Sequence, residues 1–226
     1  NCNISKLEYK IEGKEFYDYE NYFSESNTLN NLALEKWPIH DVFNLKASLL
    51  ALKFILEDKE NLKILDVDDF LDKAIGIITS FEKLPHRFEV LENANGITYV
   101  NDSKATNFDA TLKSIESSRN LNKEGNIYLI CGGDLKEQSL SKGNAVIFKE
   151  IKKCFIYGKD KDLIKELLSP FTNCVTCADL DSACSLTKEE SKMGDLVLLS
   201  PACSSTDMFE DYQERGLRFK ELVKRS

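Results

Sequence analysis

Residues that can bind anions or nucleotides cluster in three short segments of the 226-residue chain. Residues 101–107 carry a carboxylate at Asp102 and an ammonium at Lys104. Residues 132–136 are a glycine doublet that leads to a lysine, and residues 200–207 are rich in hydroxyl side chains. Lysines and hydroxyls donate to carboxylates and phosphates, and a carboxylate accepts from sugar hydroxyls. The three segments therefore predict a site for a small ligand that carries a carboxylate or a phosphate.

Turn formation is the alternative explanation, since Asn, Asp, Ser and Gly also turn the chain and cap helices. It does not account for the lysine in two of the segments.

Two common nucleotide-binding patterns are absent from the sequence. A dinucleotide fingerprint needs G-x-G-x-x-G after the first strand, and residues 101–107 contain no glycine. The pairs Gly13-Lys14 and Gly158-Lys159 lack the rest of a phosphate-binding loop.

The seven cysteines and two histidines show no metal-ligand spacing. Cys174 and Cys177 form a lone C-x-x-C pair without a second pair, and His40 and His86 stand far from them in sequence. Most cysteines lie in apolar runs, so we expect buried thiols that pack as small hydrophobic side chains. A reducing cytoplasm is the natural compartment for such a protein.

Elements that could position the three segments are evident from residue 84 onward, where short apolar runs alternate with amphipathic segments. This alternation predicts an α/β domain: a Rossmann-like, mostly parallel sheet with helices on both faces. The ligand then binds beyond the carboxyl ends of the strands. The predicted parallel strands are residues 97–100, 127–131, 154–157, 174–177 and 196–199, with an antiparallel strand at 88–91 and helices at 108–117 and 162–168.

The last helix is predicted over residues 207–223, with Ser204, Ser205 and Thr206 at its start. Free N–H groups at its start would hold an anion.

Residues 1–83 show a different sequence pattern. Polar hairpins come first, and two helices follow at 41–57 and 68–81 without an evident partner sheet.

Composition narrows the choice of partners. The chain has 30 Lys+Arg and 38 Asp+Glu, a formal net charge of -8. An acidic surface of this kind argues against nucleic acid or a polybasic membrane surface as the main partner. No apolar run approaches the ~18 residues of a membrane span. The size allows one large domain or two modest ones, and we expect a monomer.

In their order along the chain, these segments resemble the motifs of the Mur ligases, and among them the members that add D-glutamate. Residues 102–107, the most specific match, read Asp-Ser-Lys-Ala-Thr-Asn. The other matching motifs are Leu84-Pro85-His86-Arg87-Phe88-Glu89, Gly132-Gly133-Asp134 with Lys136, Ser200-Pro201-Ala202-Cys203-Ser204-Ser205, and Phe209-x-x-Tyr212-x-x-Arg215-Gly216-x-x-Phe219.

The resemblance implies ATP-dependent ligation of D-glutamate to UDP-N-acetylmuramoyl-L-alanine through an acyl phosphate, in cytoplasmic peptidoglycan precursor synthesis. It also implies that residues 84–226 are a C-terminal domain and that residues 1–83 are the tail of an incomplete central, ATP-binding domain. The phosphate loop, the Mg²⁺ ligands and the UDP-binding domain are expected outside this chain, which alone should be inactive. Another amino-acid ligase of the Mur and folylpolyglutamate superfamily, or a non-catalytic α/β binding module, are the alternatives.

Site residues follow from the resemblance, position by position. Lys104 would be catalytic, near the phosphates and the reacting carboxylate. Nucleotide contacts would come from Asp41, Asn44, His86, Arg87 and Asp102, and substrate contacts from Thr106, Lys136, Ser205 and Tyr212.

Two of these positions depart from the family pattern. Tyr212 stands where the family has Phe, which keeps the ring and adds a hydroxyl. Asp41 stands where the family has Asn, and an ionised Asp can accept a hydrogen bond from adenine but cannot donate one.

Overall fold

The computed structural model describes residues 10–11, 14–15, 44–45, 47–48, 51, 73, 77, 84–91, 95–136 and 138–224. The chain divides into two compact units, Asn1–Glu82 and Lys83–Ser226. In the first unit, β1 (Lys10–Ile11) and β2 (Lys14–Glu15) pair antiparallel. The described residues within 41–57 and 68–81 are helical, as the apolar spacing predicts for them.

The second unit is built on a six-stranded sheet with the order β3-β4-β8-β5-β6-β7. All its strand pairs are parallel except β3 with β4. The predicted α/β class, with its antiparallel first strand, is therefore confirmed. The strands are β3 (Glu89–Leu91), β4 (Thr98–Asn101), β5 (Ile127–Gly132), β6 (Ile151–Tyr157), β7 (Cys174–Thr176) and β8 (Leu196–Leu199).

Five α-helices are described in the second unit: α1 (Phe108–Leu121), α2 (Lys142–Ala145), α3 (Lys161–Leu168), α4 (Leu180–Glu190) and α5 (Tyr212–Lys224). A 3-10 turn, Val146–Glu150, leads from α2 into β6. The Asn107 side chain caps α1 by accepting from the Ala110 N–H at 2.9 Å. Asp179 and Ser182 form a capping box at the start of α4.

Two hydrophobic cores cover the two faces of the sheet. Alternate residues of β5 divide between them, because successive side chains of a strand point to opposite faces. Ile127 and Leu129 pack with Ile115 of α1, and Ile164 of α3 joins the same core. The opposite core contains residues of α4 and α5, among them Phe219. The helices of the second unit thus lie on both faces of the sheet, as predicted.

The six cysteines in the described residues are free thiols. Five are buried, and Cys174, in the edge strand β7, is half-buried. Burial raises the pKa of Cys154 and Cys203 well above the ordinary range. These thiols therefore pack as apolar side chains, as expected from the runs in which they occur. Within the described part of the chain, no helix is long and apolar enough to cross a membrane.

Candidate ligand site at the carboxyl edge of the sheet

Backbone hydrogen bonds join the three polar loops that follow β4, β5 and β8. Asp134 and Ser204 exchange a pair of them, at 3.1 and 2.9 Å. The N–H of Ala202 donates to the carbonyl of Ala105 at 2.9 Å. The three segments that the sequence singled out therefore meet at one edge of the sheet.

Two glycines let the loop after β5 pass close to its neighbours. Gly132 and Gly133 have φ of 130° and 132°. A Cβ on Gly132 would lie 1.9 Å from the carbonyl oxygen of Tyr157, and one on Gly133 would lie 2.2 Å from that of Ser204. The doublet is thus required by backbone conformation and by close approach at both positions.

Arg215 of α5 clamps two of the loops and is fully buried. Its Nε donates to Ser103 Oγ at 2.9 Å and its Nη2 to the Ser103 carbonyl at 2.8 Å. Nη1 and Nη2 both donate to the carbonyl of Cys203 at 3.2 Å. The guanidinium uses its fixed fork of donors to join the loop after β4 to the loop after β8.

Gln138 makes a second clamp, which spans all three loops. Its amide nitrogen donates to the carbonyls of Leu135 at 2.7 Å and Ala202 at 3.1 Å, and more weakly to that of Thr106 at 3.4 Å. Its amide oxygen accepts from the N–H of Phe108 at 3.0 Å. Both ends of the side chain are therefore used to hold the loops together.

Gln138→Glu should lower the free energy of unfolding by about 1–3 kcal/mol, because carbonyls lose their donor and face a carboxylate. Amide hydrogen exchange in β5 and β8 measures this change. Gln213→Glu, at an exposed position of α5, adds the same charge away from those carbonyls and is the control. Equal losses in the two variants would show that Gln138 is not a clamp.

Lys136 is exposed and follows the glycine doublet in a left-handed conformation, with φ of 53°. Its N–H donates to Asp134 Oδ1 at 3.2 Å. The other oxygen of Asp134 pairs with Lys159 Nζ at 3.2 Å. These two hydrogen bonds hold the pKa of Asp134 below its usual range. Asp134 thus fixes the turn that presents the Lys136 side chain to solvent.

The predicted start of the last helix is wrong. α5 begins at Tyr212, and the residues between Ser205 and Asp211 form turns. The carbonyl of Ser205 accepts from the N–H groups of Met208 and Phe209 at 3.1 and 2.9 Å. The free N–H groups at the start of α5 already meet the carboxylate of Asp211, which accepts from the N–H of Gln213 at 2.7 Å.

Ser205 therefore does not border a helix N-terminus that could hold an anion. It is buried in the turn after the β8 loop. The two hydroxyls next to it in sequence are also engaged with each other, since Ser204 Oγ and Thr206 Oγ1 lie 3.2 Å apart. A role of Ser205 toward a substrate carboxylate stays a prediction.

Lys104 and Tyr212 contact each other. Nζ of Lys104 lies 4.1 Å from the centroid of the Tyr212 ring, a cation–π arrangement. Thr106 is half-buried on the same loop. The geometry thus brings the predicted catalytic lysine and two predicted substrate residues to the same edge of the sheet.

The turn before β3 is strained and is held by the loop after β4. His86 and Phe88 have φ of 64° and 43°, a region that costs a non-glycine residue about 1–2 kcal/mol. The N–H of Phe88 donates to Asp102 Oδ1 at 3.1 Å, and the N–H of Lys104 donates to the carbonyl of His86 at 3.1 Å. Strain of this kind concentrates at functional sites.

Asp102 is buried, and its second oxygen accepts a short hydrogen bond from the Ser114 hydroxyl. Its predicted contact with a ribose hydroxyl stays a prediction. In the structure, Asp102 ties the strained turn to the loop after β4 and to α1.

The remaining residues that were predicted to contact the nucleotide are exposed or lie outside the described residues. Arg87 is exposed on the strained turn. Asn44 is an exposed helical residue of the first unit, and its carbonyl accepts from Ser48 Oγ at 2.8 Å. Asp41 lies outside the described residues.

The described part of the chain contains no group of three or more His, Cys, Asp or Glu that could hold a metal ion, so no Mg²⁺ ligand is assigned there.

Sequence reasoning did not select Gln138, Asn101 or Arg215 as site residues. A signal for Arg215 was present, because it lies in the segment Phe209–Phe219 that resembles a Mur ligase motif. Gln138 contacts the loops after β4 and β8, and Asn101 contacts His86 and the Gly216 carbonyl of α5, which are distant from it in sequence. No local pattern signals these contacts.

The fold and this edge define a Rossmann-like α/β domain with lysines, hydroxyls and a buried carboxylate grouped where such domains bind their ligands. A family model described as "Mur ligase, glutamate ligase domain" matches residues 86–203. The chain therefore belongs to the Mur ligase family and contains its glutamate ligase domain.

Two curated relatives are named UDP-N-acetylmuramoylalanine--D-glutamate ligase. The one from Hydrogenobaculum sp. (strain Y04AAS1) is 40% identical over 178 residues, which is 75% of this chain and 42% of the relative. The one from Aquifex aeolicus (strain VF5) is 35% identical over 203 residues, 89% of this chain and 45% of the relative. The chain thus spans less than half the length of these relatives.

Solved structures show the same fold. The UDP-N-acetylmuramate-alanine ligase MurC from Thermotoga maritima superposes with a TM-score of 0.52 at 18% identity, covering 83% of this chain and 38% of that one. A pseudomurein peptide ligase type C from Methanothermus fervidus gives a TM-score of 0.52 at 14% identity, with coverage of 83% and 36%.

Proposed function

We propose that this chain is the D-glutamate-binding part of a UDP-N-acetylmuramoylalanine–D-glutamate ligase that works in cytoplasmic peptidoglycan precursor synthesis. The observation that carries the proposal is the junction of three loops at one sheet edge, which groups Lys104, Thr106, Lys136 and Tyr212. The names of the curated relatives support the choice of amino acid.

In the proposed reaction, ATP phosphorylates the alanyl carboxylate of UDP-N-acetylmuramoyl-L-alanine, and the amine of D-glutamate attacks the acyl phosphate and releases phosphate. The protein's contribution is to position the reactants and to neutralise charge. Lys104 would offset the negative charge near the reacting carboxylate and phosphate. Its contact with the Tyr212 ring limits the positions that its ammonium can take.

D-glutamate brings two carboxylates, and these need separate anchors. Lys136 would bind one of them, since its ammonium is exposed on a turn that Asp134 and the glycine doublet fix. Ser205 and Thr206 belong to the loop after β8. This loop lies across the Asp134–Ser204 hydrogen bonds from Lys136. The nucleotide would lie toward the strained turn that carries His86 and Arg87, next to Asp102.

The test is phosphate release by the full-length gene product with UDP-N-acetylmuramoyl-L-alanine, ATP and one amino acid at a time. We expect turnover with D-glutamate and background rates with L-glutamate, L-alanine or meso-diaminopimelate. Turnover with another amino acid would move the protein to a different ligase of the family. Nucleotide and amino-acid binding without turnover would favour a binding module.

Lys136→Ala in the full-length gene product should raise the KM for D-glutamate by roughly 10–150-fold. The range follows from ~1.5–3 kcal/mol for a hydrogen bond to a charged group, at ~1.4 kcal/mol per decade of affinity. The KM for ATP should change much less. Steady-state kinetics with each substrate varied in turn measure both.

The matched control is Lys123→Ala, which removes an exposed lysine before β5, at the opposite edge of the sheet. It should leave both KM values unchanged. An unchanged KM for D-glutamate in Lys136→Ala, or an equal rise for ATP, would place Lys136 outside the amino-acid site.

A further inference from the structure

Asn101 ends β4 and is fully buried, and backbone groups fix the orientation of its side-chain amide. The carbonyl of Gly216, which can only accept, lies 3.2 Å from Asn101 Nδ2. The N–H of Ser103, which can only donate, lies 3.3 Å from Asn101 Oδ1. The positions of the amide nitrogen and oxygen are therefore determined without reference to any other side chain.

Three acceptors surround the two N–H groups of the Asn101 amide: Nδ1 of His86, the carbonyl of Gly216 and, at 3.4 Å, Oε2 of Glu89. The ring of His86 is the nearest of them and accepts from this amide. Its Nδ1 lies 2.9 Å from Asn101 Nδ2, an atom that donates and does not accept. A proton on Nδ1 would point at another donor, so Nδ1 is unprotonated and the proton of the neutral ring is on Nε2. Among the residues that the structure describes, Nε2 has no hydrogen-bond partner, which leaves its N–H for a ligand.

We propose that Asn101 is a positioning residue that holds His86 as a neutral imidazole with its proton on Nε2, so that His86 donates an uncharged hydrogen bond to the nucleotide. The nucleotide as acceptor rests on the proposed function. The tautomer and its cause rest only on the contacts of Asn101.

The groups around His86 are consistent with a neutral ring. Burial lowers the pKa of His86, and the charge of Lys220 acts in the same direction. Glu89 opposes them, with Oε2 at 3.9 Å from Nδ1, and Asp211 opposes them more weakly. The carboxylate of Glu89 is itself occupied by Lys220, by the backbone N–H of His86 and, more weakly, by Asn101 Nδ2.

The ring also has little freedom to turn away from Asn101. A Cβ on Gly216 would lie 2.2 Å from His86 Nδ1, so the ring packs directly on the backbone of α5. The Tyr212 ring stands edge-on to it, with centroids 6.4 Å apart. The backbone of His86 is held by the strained turn, which fixes where the ring begins.

The tautomer can be read directly by nitrogen NMR. The chain has only two histidines, so 15N-histidine labelling gives two ring systems, and His86→Gln identifies the signals of His86. In a long-range ¹H–¹⁵N spectrum, Nε2 couples to both carbon-bound ring protons and Nδ1 to one. At pH 7 we expect Nε2 to be protonated and Nδ1 unprotonated. A proton on Nδ1, or a charged ring, would overturn the proposal.

Asn101→Asp tests whether Asn101 sets the tautomer of His86. The side chain keeps its shape but offers Nδ1 a carboxylate oxygen, so His86 should become protonated on Nδ1. The pH at which His86 is half protonated should rise by about 1–3 pH units. Asn120→Asp, at an exposed position of α1, adds the same charge and should leave His86 unchanged. An unchanged tautomer and titration in Asn101→Asp would refute a role for Asn101.

The spectrum of the unmodified chain decides the tautomer even where Asn101→Asp does not fold. Addition of ATP to the full-length gene product, in which His86→Gln again identifies the signals of His86, tests the nucleotide separately. Movement of the His86 Nε2 signal supports the donor role. An Nε2 signal that saturating ATP does not move would remove the nucleotide from the proposal, while the assigned tautomer would still establish Asn101 as the residue that sets it.

Discussion

Arg215→Leu should lower the free energy of unfolding of the second unit by about 3–5 kcal/mol, the largest loss that we expect from a single side chain. The substitution removes the donors that Arg215 offers to Ser103 and Cys203, which are the donors that reach these two buried carbonyls from the described residues. Each unsatisfied buried polar group costs about 1–3 kcal/mol. Arg215→Lys should recover only part of the loss, because one ammonium cannot reproduce the fork of donors.

Amide hydrogen exchange in β4, β5 and β8 measures this loss, since those amides open only with the sheet. Arg218→Leu is the matched control, one turn along the same helix. Arg218 pairs with Asp181 and Glu221 at the surface, where an ion pair contributes about 0–1 kcal/mol. If the two variants lose the same stability, the buried hydrogen bonds of Arg215 do not hold the loops.

Gly132→Ala should lower the free energy of unfolding by about 3 kcal/mol or more, because a conformational cost and a steric cost act together. Its φ of 130° disfavours any side chain. The new methyl group would lie 1.9 Å from the carbonyl oxygen of Tyr157, which belongs to the backbone of β6 and cannot move aside alone. The β5–β6 pairing at this point must therefore break or shift, and the D-glutamate binding that we propose should be lost with it.

Substitutions at two other glycines separate the conformational cost from the steric cost. Gly194 has φ of 89° with nothing within 4 Å of a new Cβ, so Gly194→Ala should show the conformational cost alone, about 1–2 kcal/mol. Gly143, in α2, has open space around the new Cβ, and Gly143→Ala should be neutral or slightly stabilising. Urea unfolding of the three variants ranks them. A Gly132→Ala loss no greater than that of Gly194→Ala would rule out the steric part.

Much of the second unit could be predicted from its sequence, because buried parallel strands read as short apolar runs between helical segments. Each of the five predicted parallel strands is present, although β6 begins at Ile151 rather than at Cys154. The meeting of the three polar loops followed from the same reasoning. It needed only the rule that parallel strands end at a common edge.

The start of α5 could not be predicted, because Asp207 and Asp211 are both acceptable cap residues by type. Tertiary contacts decide between them: Asp207 Oδ2 accepts from the N–H of Lys159 at 2.9 Å, which leaves Asp211 to cap the helix. The burial of Arg215 could not be predicted either, since a charged side chain on a polar helix is usually exposed. The part of the site that depends on contacts between loops was therefore beyond the sequence pattern.

The position of β8 between β4 and β5 has a consequence for how the domain is made. Of the six strands described in this sheet, the one that fills its centre leaves the ribosome after the other five. Until then β4 has no parallel neighbour, and the apolar edges of β4 and β5 stay open to each other and to other chains. We expect nascent chains that stop before residue 196 to need protection from aggregation, and the sheet and the ligand edge to form in one late step.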